Sequence, residues 1–385
     1  MRQKLLISAR WLVGILFIFS GFVKGIDPAG LQYKLNDYLE ALRLNALDFL
    51  SVPGSYLLPI AEFAVGITLI TGIMIRLSTK LAFAFMLFFT PLTLYIALKN
   101  PVTDCGCFGD ALVISNWQTF YKNVALIFLT ILLFINRKEL LFVYKEKYRK
   151  ILFSVLLSFY ILTVYYSYRH EPVLDFRPYK IGANIPEGMR IPDGAQTDVY
   201  QNIYYYRNVK SNEVKKFSDS DFPWQDTINW KFEKMDPPIL LKQGYKPPIH
   251  DFSIQTAGKE IVTDRYLQDT LFTFIVIAYD LEKSLAKKQQ ELNSLAGWAI
   301  GKGYNFIGLT STTGAALKKY QDKNHPAYEI MFADQITLKT IIRSNPGLIL
   351  LKKGTIVGKW HYNDFPKPEE TDAIIRSEMN KKLNR

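Results

Sequence analysis

Cysteine and histidine are both scarce here: two cysteines and four histidines in 385 residues. Two cysteines cannot staple a small secreted fold together. His170, His250, His325 and His361 all lie far downstream of Cys105 and Cys107. A four-ligand metal site would have to gather residues from distant parts of the chain, so no metal is expected. Acidic residues are also outnumbered, 35 against 47 basic, which leaves a net charge of +12. Such an excess can serve nucleic acid. No RNA-module or helix-turn-helix pattern accompanies it, and much of it lies beside apolar runs, where it orients a membrane protein instead. Nucleic acid is therefore not an expected partner. The first apolar run, preceded by Arg2 and Lys4, lacks a small-x-small cleavage site and is interrupted by Arg10. It reads as an uncleaved anchor rather than a signal peptide.

What the chain does have is apolar sequence, concentrated in residues 1–168; residues 169–385 read as ordinary soluble sequence. At this length two or three domains are expected. Five stretches approach the ~20 residues that a bilayer core requires: Leu5–Val23, Tyr56–Ile75, Leu81–Leu98, Trp117–Ile135 and Ile151–Tyr168. Positive charge orients them. Arg2 and Lys4, then Arg76 and Lys80, then the basic loop Arg137–Lys150 all fall on one side. The intervening segments Lys24–Gly54 and Lys99–Asn116 balance their charges. This pattern predicts a cytoplasmic N-terminus, with the cysteine loop and the large C-terminal region on the outer side of the membrane. Tyr95, Trp117, Tyr121, Tyr165, Tyr166 and Tyr168 mark membrane edges, and lipid is an expected partner. Ser115 and Gln118 resemble a capping box that starts span four just after the cysteine loop. Leu31–Leu50 has the spacing of an amphipathic helix on the outer surface.

The cysteine loop, Asp104-Cys105-Gly106-Cys107-Phe108-Gly109-Asp110, sits between two of these spans. Closing so short a loop contributes only about 1.6 kcal/mol in the chain-entropy model, against ~3 for a fifteen-residue loop. A structural staple is a poor use of the pair, and a strained bridge is easily reduced. Cys105 and Cys107 are therefore the candidate redox residues. Asp104, Gly106, Phe108 and Gly109 are the candidate loop supports. Glu62 sits inside span two, where an ionisable group defaults to a functional hypothesis. It is a candidate for moving protons during thiol exchange or for binding a quinone oxygen. The alternative is a static ion pair with Lys24 that fixes helix packing. No other cofactor is indicated. Gly14, Gly21, Gly66 and Gly72 are explained by close helix packing, and Arg10 by packing near the inner side.

The series Arg10-Trp-Leu-Val-Gly14, Ser20-Gly21-Phe-Val-Lys24 and Asp27-Pro28 resembles the first span of the DoxX-like superfamily. Glu62-Phe-Ala-Val-Gly66 through Thr71-Gly72-Ile-Met-Ile-Arg76 is similar to its second span. The Cys105-Gly-Cys-Phe-Gly109 loop resembles the MauE branch, the membrane protein of methylamine utilisation. The resemblance covers about residues 5–136. It implies a four-span unit linked to redox or to disulfide formation in exported proteins.

The second half divides further. Residues 169–246 read as a small β-rich linker module, with a hairpin of Tyr200–Val209 and Val214–Phe217. Strand-like or loop segments follow at Asp221–Asp226 and Ile228–Phe232. From 247 on, the order is a hairpin at 251–262, a buried strand Thr270–Ala278 and a helix Lys283–Ile300. Next come a strand Asn305–Ser311, a helix Thr313–Asp322, a strand Tyr328–Ala333 and a helix Ile336–Arg343. Strands Gly347–Leu351 and Thr355–Trp360 and a helix Pro368–Asn380 end it. Over about 248–382 this succession resembles a thioredoxin-fold protein of the thiol-disulfide interchange or peroxiredoxin-like kind, with Pro346 at the place of that fold's cis-proline. The redox pair should lie near Leu281–Ser284, and no cysteine is there. The resemblance implies a client-binding surface beside Pro346 without dithiol chemistry of its own. His361, with Asp364 three residues on, reads as a solvated loop histidine.

The sequence thus predicts a multi-domain membrane protein. Its all-α helical transmembrane bundle has five spans: a DoxX/MauE-like four-span unit at 1–136, and the basic cytoplasmic loop and fifth span at 137–168. An exported α/β thioredoxin-like domain occupies 247–385. The function it favours is thiol–disulfide exchange with, or assembly of, an exported client or redox partner protein. The alternative is a non-enzymatic membrane scaffold that presents a binding module, with structural cysteines.

Overall fold

A computed structural model describes residues 2–102, 105–140, 145–242 and 244–383. Asp104 of the cysteine loop lies outside them. Five of its helices are long and apolar enough to cross a membrane. They are α1 (Arg2–Ile26), α3 (Ser51–Thr71, entered through a 3-10 turn Asn45–Leu50), α4 (Ile75–Lys99), α5 (Asn116–Ile135) and α6 (Glu146–Arg169). At 1.5 Å per residue the 25 residues of α1 span more than the ~30 Å of a hydrocarbon core. Helices α1 and α3 make the tightest contact. A Cβ on Gly66 would stand 2.7 Å from the carbonyl oxygen of Gly14, and one on Gly21 would stand 2.7 Å from the backbone nitrogen of Phe63. Only glycine lets the backbones approach this closely. Leu6, Val13, Phe17, Val65, Leu69, Met86, Leu126 and Leu133 pack between α1, α3, α4 and α5. Helix α6 is added from outside, inserting Tyr160 and Val164 against Phe63 and Ile67. Its other face, including Val155, Phe159 and Leu162, stays exposed. The Ser115–Gln118 capping box forms and starts α5.

Between α1 and α3 the chain departs from the amphipathic helix expected over Leu31–Leu50. Asp27 caps α2 (Pro28–Ala41) by accepting from the Gly30 N–H at 2.9 Å. The helix stops at Ala41 because Arg43 turns to a left-handed φ of 58°, and the 3-10 turn begins at Asn45. Most of α2 is half-buried rather than lying free on a surface.

A separate compact unit spans Asn184–Asp251. It holds the short helix α7 (Ile185–Met189) and two small antiparallel sheets. One sheet pairs β1 (Val199–Gln201) with β5 (Ile239–Lys242). The other runs β3 (Val214–Ser218), β2 (Ile203–Asn208), β4 (Trp230–Met235). The β2–β3 hairpin falls on the hairpin expected over Tyr200–Val209 and Val214–Phe217, and Tyr206, Phe217, Phe232 and Trp230 meet edge to face across its sheet. The residues just before it, Arg169–Ala183, belong with the larger unit. Arg177 is buried there against Asp175 at 2.7 Å and Glu171 at 2.9 Å, and Lys359 of the C-terminal sheet joins Asp175 at 2.7 Å.

The C-terminal part opens with α8 (Thr263–Leu267) and builds one five-stranded sheet, ordered β10 (Thr355–His361), β9 (Gly347–Lys352), β6 (Phe272–Ile277), β7 (Asn305–Thr310), β8 (Glu329–Phe332). Strands β6, β7 and β8 are parallel, while β9 and β10 run antiparallel. Helices α9 (Gln289–Gly301), α10 (Gly314–Asn324), α11 (Gln335–Ile341) and α12 (Pro368–Leu383) connect and cover it. Every residue of β6 is buried, as its unbroken apolar run requires. The Asn345–Pro346 peptide is cis. A parallel βαβ unit with an antiparallel hairpin on the far side of its first strand, entered through a cis-proline, is the thioredoxin arrangement. The segment 251–262 contributes a bridge, Gln255 to Ile261, rather than a full hairpin.

Two expectations change here. The helix foreseen from Lys283 begins only at Gln289, after a 3-10 turn at Ala286–Lys288. The Asp280 carboxylate accepts from the backbone N–H groups of Glu282 and Lys283, folding those residues into a turn. His361 is not solvated: it ends β10 and is 3% exposed. The accessible partner is His170, which meets Asp364 at 2.6 Å. Burial pulls the His361 imidazole down to about 4.

Candidate functional site

The site is assembled at the end of the bundle where α1, α4 and α5 meet the loop between α4 and α5. Two glycines shape the loop. Gly106 and Gly109 have φ of 61° and 49°, a region that disfavours side chains, and the Gly109 N–H closes a turn on the Gly106 carbonyl at 3.0 Å. Phe108 anchors it. Its ring is buried against Phe19, with centroids 5.3 Å apart, and lies under the Lys122 ammonium at 4.2 Å. The Tyr38 hydroxyl of α2 donates to the Cys105 carbonyl. Thus held, Cys105 and Cys107 are free, half-buried thiols with sulfurs 2.8 Å apart.

Their acidities diverge. The hydrogen bond between the thiols is the largest influence on both; it pulls Cys107 down and pushes Cys105 up. Burial opposes the drop at Cys107, while the Lys122 and Lys24 ammonium groups favour it, and Cys107 comes to about 6. A thiolate is the nucleophile in disulfide exchange. The loop therefore holds one ready nucleophile beside one protonated thiol.

Behind the thiols lies a buried ion pair. Lys24 Nζ donates to the two carboxylate oxygens of Glu62 at 2.7 and 2.9 Å, with side chains 9% and 6% exposed. Ser20 Oγ stands 3.0 Å from both Glu62 Oε2 and the Cys107 carbonyl oxygen. A hydroxyl has one proton, so Ser20 donates to one of them at a time. Glu62, Lys24 and the thiols, separate in sequence, thus share one region.

Two cavities flank the loop. One, of about 510 Å³, lies inside the bundle and is walled by Phe85, Phe88, Phe89 and Leu92 of α4 and by Leu35 and Leu39 of α2. Cys105, Cys107, Glu62 and Lys122 also line it. The other, of about 270 Å³, is more polar and lies between α1–α2 and the thioredoxin-like domain. Lys24, Leu31, Lys34 and Gly106 border both.

The thioredoxin-like domain faces this second cavity with the end that would carry a redox pair. Arg343, three residues before Pro346, grips Asp27 with Nε at 3.0 Å from each oxygen and a terminal nitrogen at 2.8 Å. It also reaches Asp110 of the cysteine loop at 3.4 Å. Burial, the largest influence, raises the Asp27 carboxyl, but the Arg343 and Arg177 charges together with the hydrogen bonds from Arg343 and the Gly30 N–H outweigh it and hold Asp27 below its ordinary value. Tyr279, just after β6, bonds Tyr33 of α2 through their hydroxyls at 3.0 Å. Pro346 itself is buried. Among the described residues no cluster of histidine, cysteine and carboxylates has the makings of a metal site.

Sequence reasoning missed Ser20, Tyr38, Lys122 and Arg343. Lys122 had a visible signal, since it is the one charged residue in α5. Tyr38 and Arg343 had none, because their roles depend on how α2 and the C-terminal domain come together.

Residues 2–136 match the family model of the methylamine utilisation protein MauE. No curated protein matches the chain. Among solved structures, it is similar to the thioredoxin domain of a thiol-disulfide oxidoreductase from Bacteroides vulgatus, at 13% identity and a TM-score of 0.26. That match covers 32% of this chain and 89% of the other. A secreted disulfide oxidoreductase of Mycobacterium tuberculosis shows 14% identity and a TM-score of 0.26, covering 33% and 96%. A thiol:disulfide interchange protein from Chlorobium tepidum shows 14% identity and a TM-score of 0.25, covering 33% and 92%. The fold of the C-terminal domain rests on its own sheet order and cis-proline. The chain thus carries five helices long and apolar enough to cross a membrane, a MauE-like part over residues 2–136, and a C-terminal domain of thioredoxin-like fold.

Proposed function

We propose that this protein carries out thiol–disulfide exchange with an exported client at the outer face of a bacterial inner membrane, through Cys105 and Cys107. The observation that carries the reading is the sulfur pair itself. Two thiols 2.8 Å apart, one acidified to about 6 and the other kept protonated, sit under the charges of the buried Lys24 and the half-buried Lys122 rather than in an inert core. The membrane placement rests on the charge pattern. Arg2 meets Asn136 and Glu139, and Arg149 meets the Gly72 carbonyl, at the end of the bundle opposite the cysteines.

In the exchange a client thiolate attacks one sulfur of the Cys105–Cys107 disulfide. A mixed disulfide forms and the other cysteine leaves as a thiolate, which takes up the proton the client thiol gave to water. The client's second thiolate then attacks the mixed disulfide, so the client becomes oxidised and the pair returns to two thiols. Cys107, the more acidic thiol, is the better leaving group. The Glu62–Lys24 pair and Ser20 hold the loop carbonyl and supply the positive field that stabilises this thiolate. The thioredoxin-like domain, having no thiol, positions the client over the polar cavity. The strip nearest Pro346 is engaged by α2, so client contact there requires the Arg343–Asp27 dock to open.

The test uses the full chain in lipid nanodiscs with its pair oxidised, mixed with reduced ribonuclease. Wild type should form ribonuclease disulfides, and a Cys105→Ser, Cys107→Ser double variant should form none beyond the uncatalysed background. Equal rates for the two would remove the reading.

A further inference from the structure

An exchange of this kind consumes the Cys105–Cys107 disulfide, and this chain holds no other cysteine to restore it. A two-electron acceptor must therefore reach the pair from outside. The 510 Å³ cavity inside the bundle supplies the place. Its volume falls in the ~300–1,000 Å³ range of small-molecule sites. Its walls are mainly phenyl rings and leucines, and its polar lining includes Lys24, Glu62 and Lys122, whose charges act on Cys107. Five of its apolar lining residues, Leu42, Leu44, Leu47, Leu50 and Phe88, are also exposed on the outside of the membrane part. The cavity thus opens beside exposed apolar surface, whereas the second cavity, which shares Gly106 with it, opens toward the thioredoxin-like domain.

We infer that this cavity binds the ring of a lipid-soluble quinone, which reoxidises Cys105 and Cys107. The inference rests on the thiol-exchange reading and names its electron acceptor. Flat aromatic walls suit a quinone ring, and an isoprenoid tail can leave through the lipid-facing side. An ammonium group carries three protons. Glu62 takes two of those on Lys24, which leaves the third for a quinone carbonyl oxygen. Lys122, above Phe108, offers a second donor from another wall.

The step balances without a further reagent. The two S–H bonds of the cysteines break and one S–S bond forms. The two electrons released reduce the quinone, and the two protons appear on its oxygens, giving the hydroquinone. A proton lost earlier from Cys107 to water is returned from water by way of the polar cavity and Lys24. The fixed cations beside the thiols stabilise the negative charge that develops on the quinone oxygen.

The experiment mixes the reduced full-length chain, in phosphatidylcholine nanodiscs without oxygen, with ubiquinone-1. Quinone absorbance is followed, together with the loss of two alkylatable thiols by mass. The expected result is reduction of one quinone per chain, at a rate that saturates with quinone concentration. Leu92→Trp, which adds bulk to the α4 wall of the cavity, should lower the apparent affinity about tenfold, a loss of ~1.4 kcal/mol. The saturable wild-type rate stands as evidence on its own should that variant fail to fold. Two results would overturn the site: no quinone reduction, or a rate rising linearly with quinone and unchanged by Leu92→Trp. In either case oxidation of reduced ribonuclease by the disulfide form would leave the exchange reading standing. A pair inert to both reagents would remove both.

Discussion

Cys107 is set apart from an ordinary thiol by the hydrogen bond with the Cys105 thiol first, and then, against the opposing effect of burial, by the charges of Lys122 and Lys24. Its thiolate is present above about pH 6 and is lost as pH falls through that value, whereas an unperturbed thiol titrates near ~8.5. The rate of iodoacetamide alkylation in the reduced protein should therefore rise with a midpoint near pH 6. In Cys105→Ala, which removes the largest influence, the midpoint should move up toward the ordinary range. A midpoint near pH 8.5 in both proteins would contradict the assignment. Glu62 answers to the same logic. Glu62→Gln leaves the Lys24 charge buried without its counter-ion and should cost about 3 kcal/mol of stability, read as a lowered thermal midpoint in detergent. Lys24→Met combined with Glu62→Met should cost less than that single change. The cysteines and Glu62 were legible because reactive or ionisable residues are rare in apolar sequence. Tyr38 was not, because a tyrosine on a half-buried helix carries no mark of the carbonyl it will meet.

Among the elements, α1 and α3 set the position of everything in the site, since Ser20 and Lys24 lie on one and Glu62 on the other. Their spacing depends on glycine. Gly66→Ala would place a methyl 2.7 Å from the Gly14 carbonyl oxygen and from the Ile18 backbone nitrogen. Backbone cannot yield as a side-chain tip can, so the helices must part. The expected loss is about 1–3 kcal/mol, with a lengthened Lys24–Glu62 contact; an unchanged melting temperature would contradict it. The spans themselves were readable from hydropathy to within a few residues, because the bilayer dictates their length. The break in α2 was not, because it follows from the single left-handed residue Arg43. The late start of α9 has a similar origin: Asp280 competes for the backbone N–H groups that a helix from Lys283 would use. A thioredoxin redox helix begins at this place, and here the turn takes it.

For the molecule as a whole, the larger compact unit joins the membrane bundle to the thioredoxin-like domain, and the join runs through Arg343. Removing it leaves the Asp27 carboxylate buried beside α2. Arg343→Ala should cost about 3 kcal/mol of docking and speed hydrogen exchange across Pro28–Ala41. Arg343→Lys should restore only part, lacking the two-pronged geometry. Unchanged exchange in both variants would show that the dock does not depend on this pair. Sequence periodicity announced both parts but not the join, since a salt bridge across 316 residues leaves no periodic trace. The account as a whole stands on Cys105 and Cys107 cycling between dithiol and disulfide. The direct measurement is alkylation of the two cysteines in intact membranes, read by mass with and without prior reductant. The account predicts two populations, one with both thiols alkylated and one with neither until reductant is added. Adding reduced ribonuclease should shift the second population into the first. A single population, all dithiol or all disulfide and unmoved by ribonuclease, would contradict it.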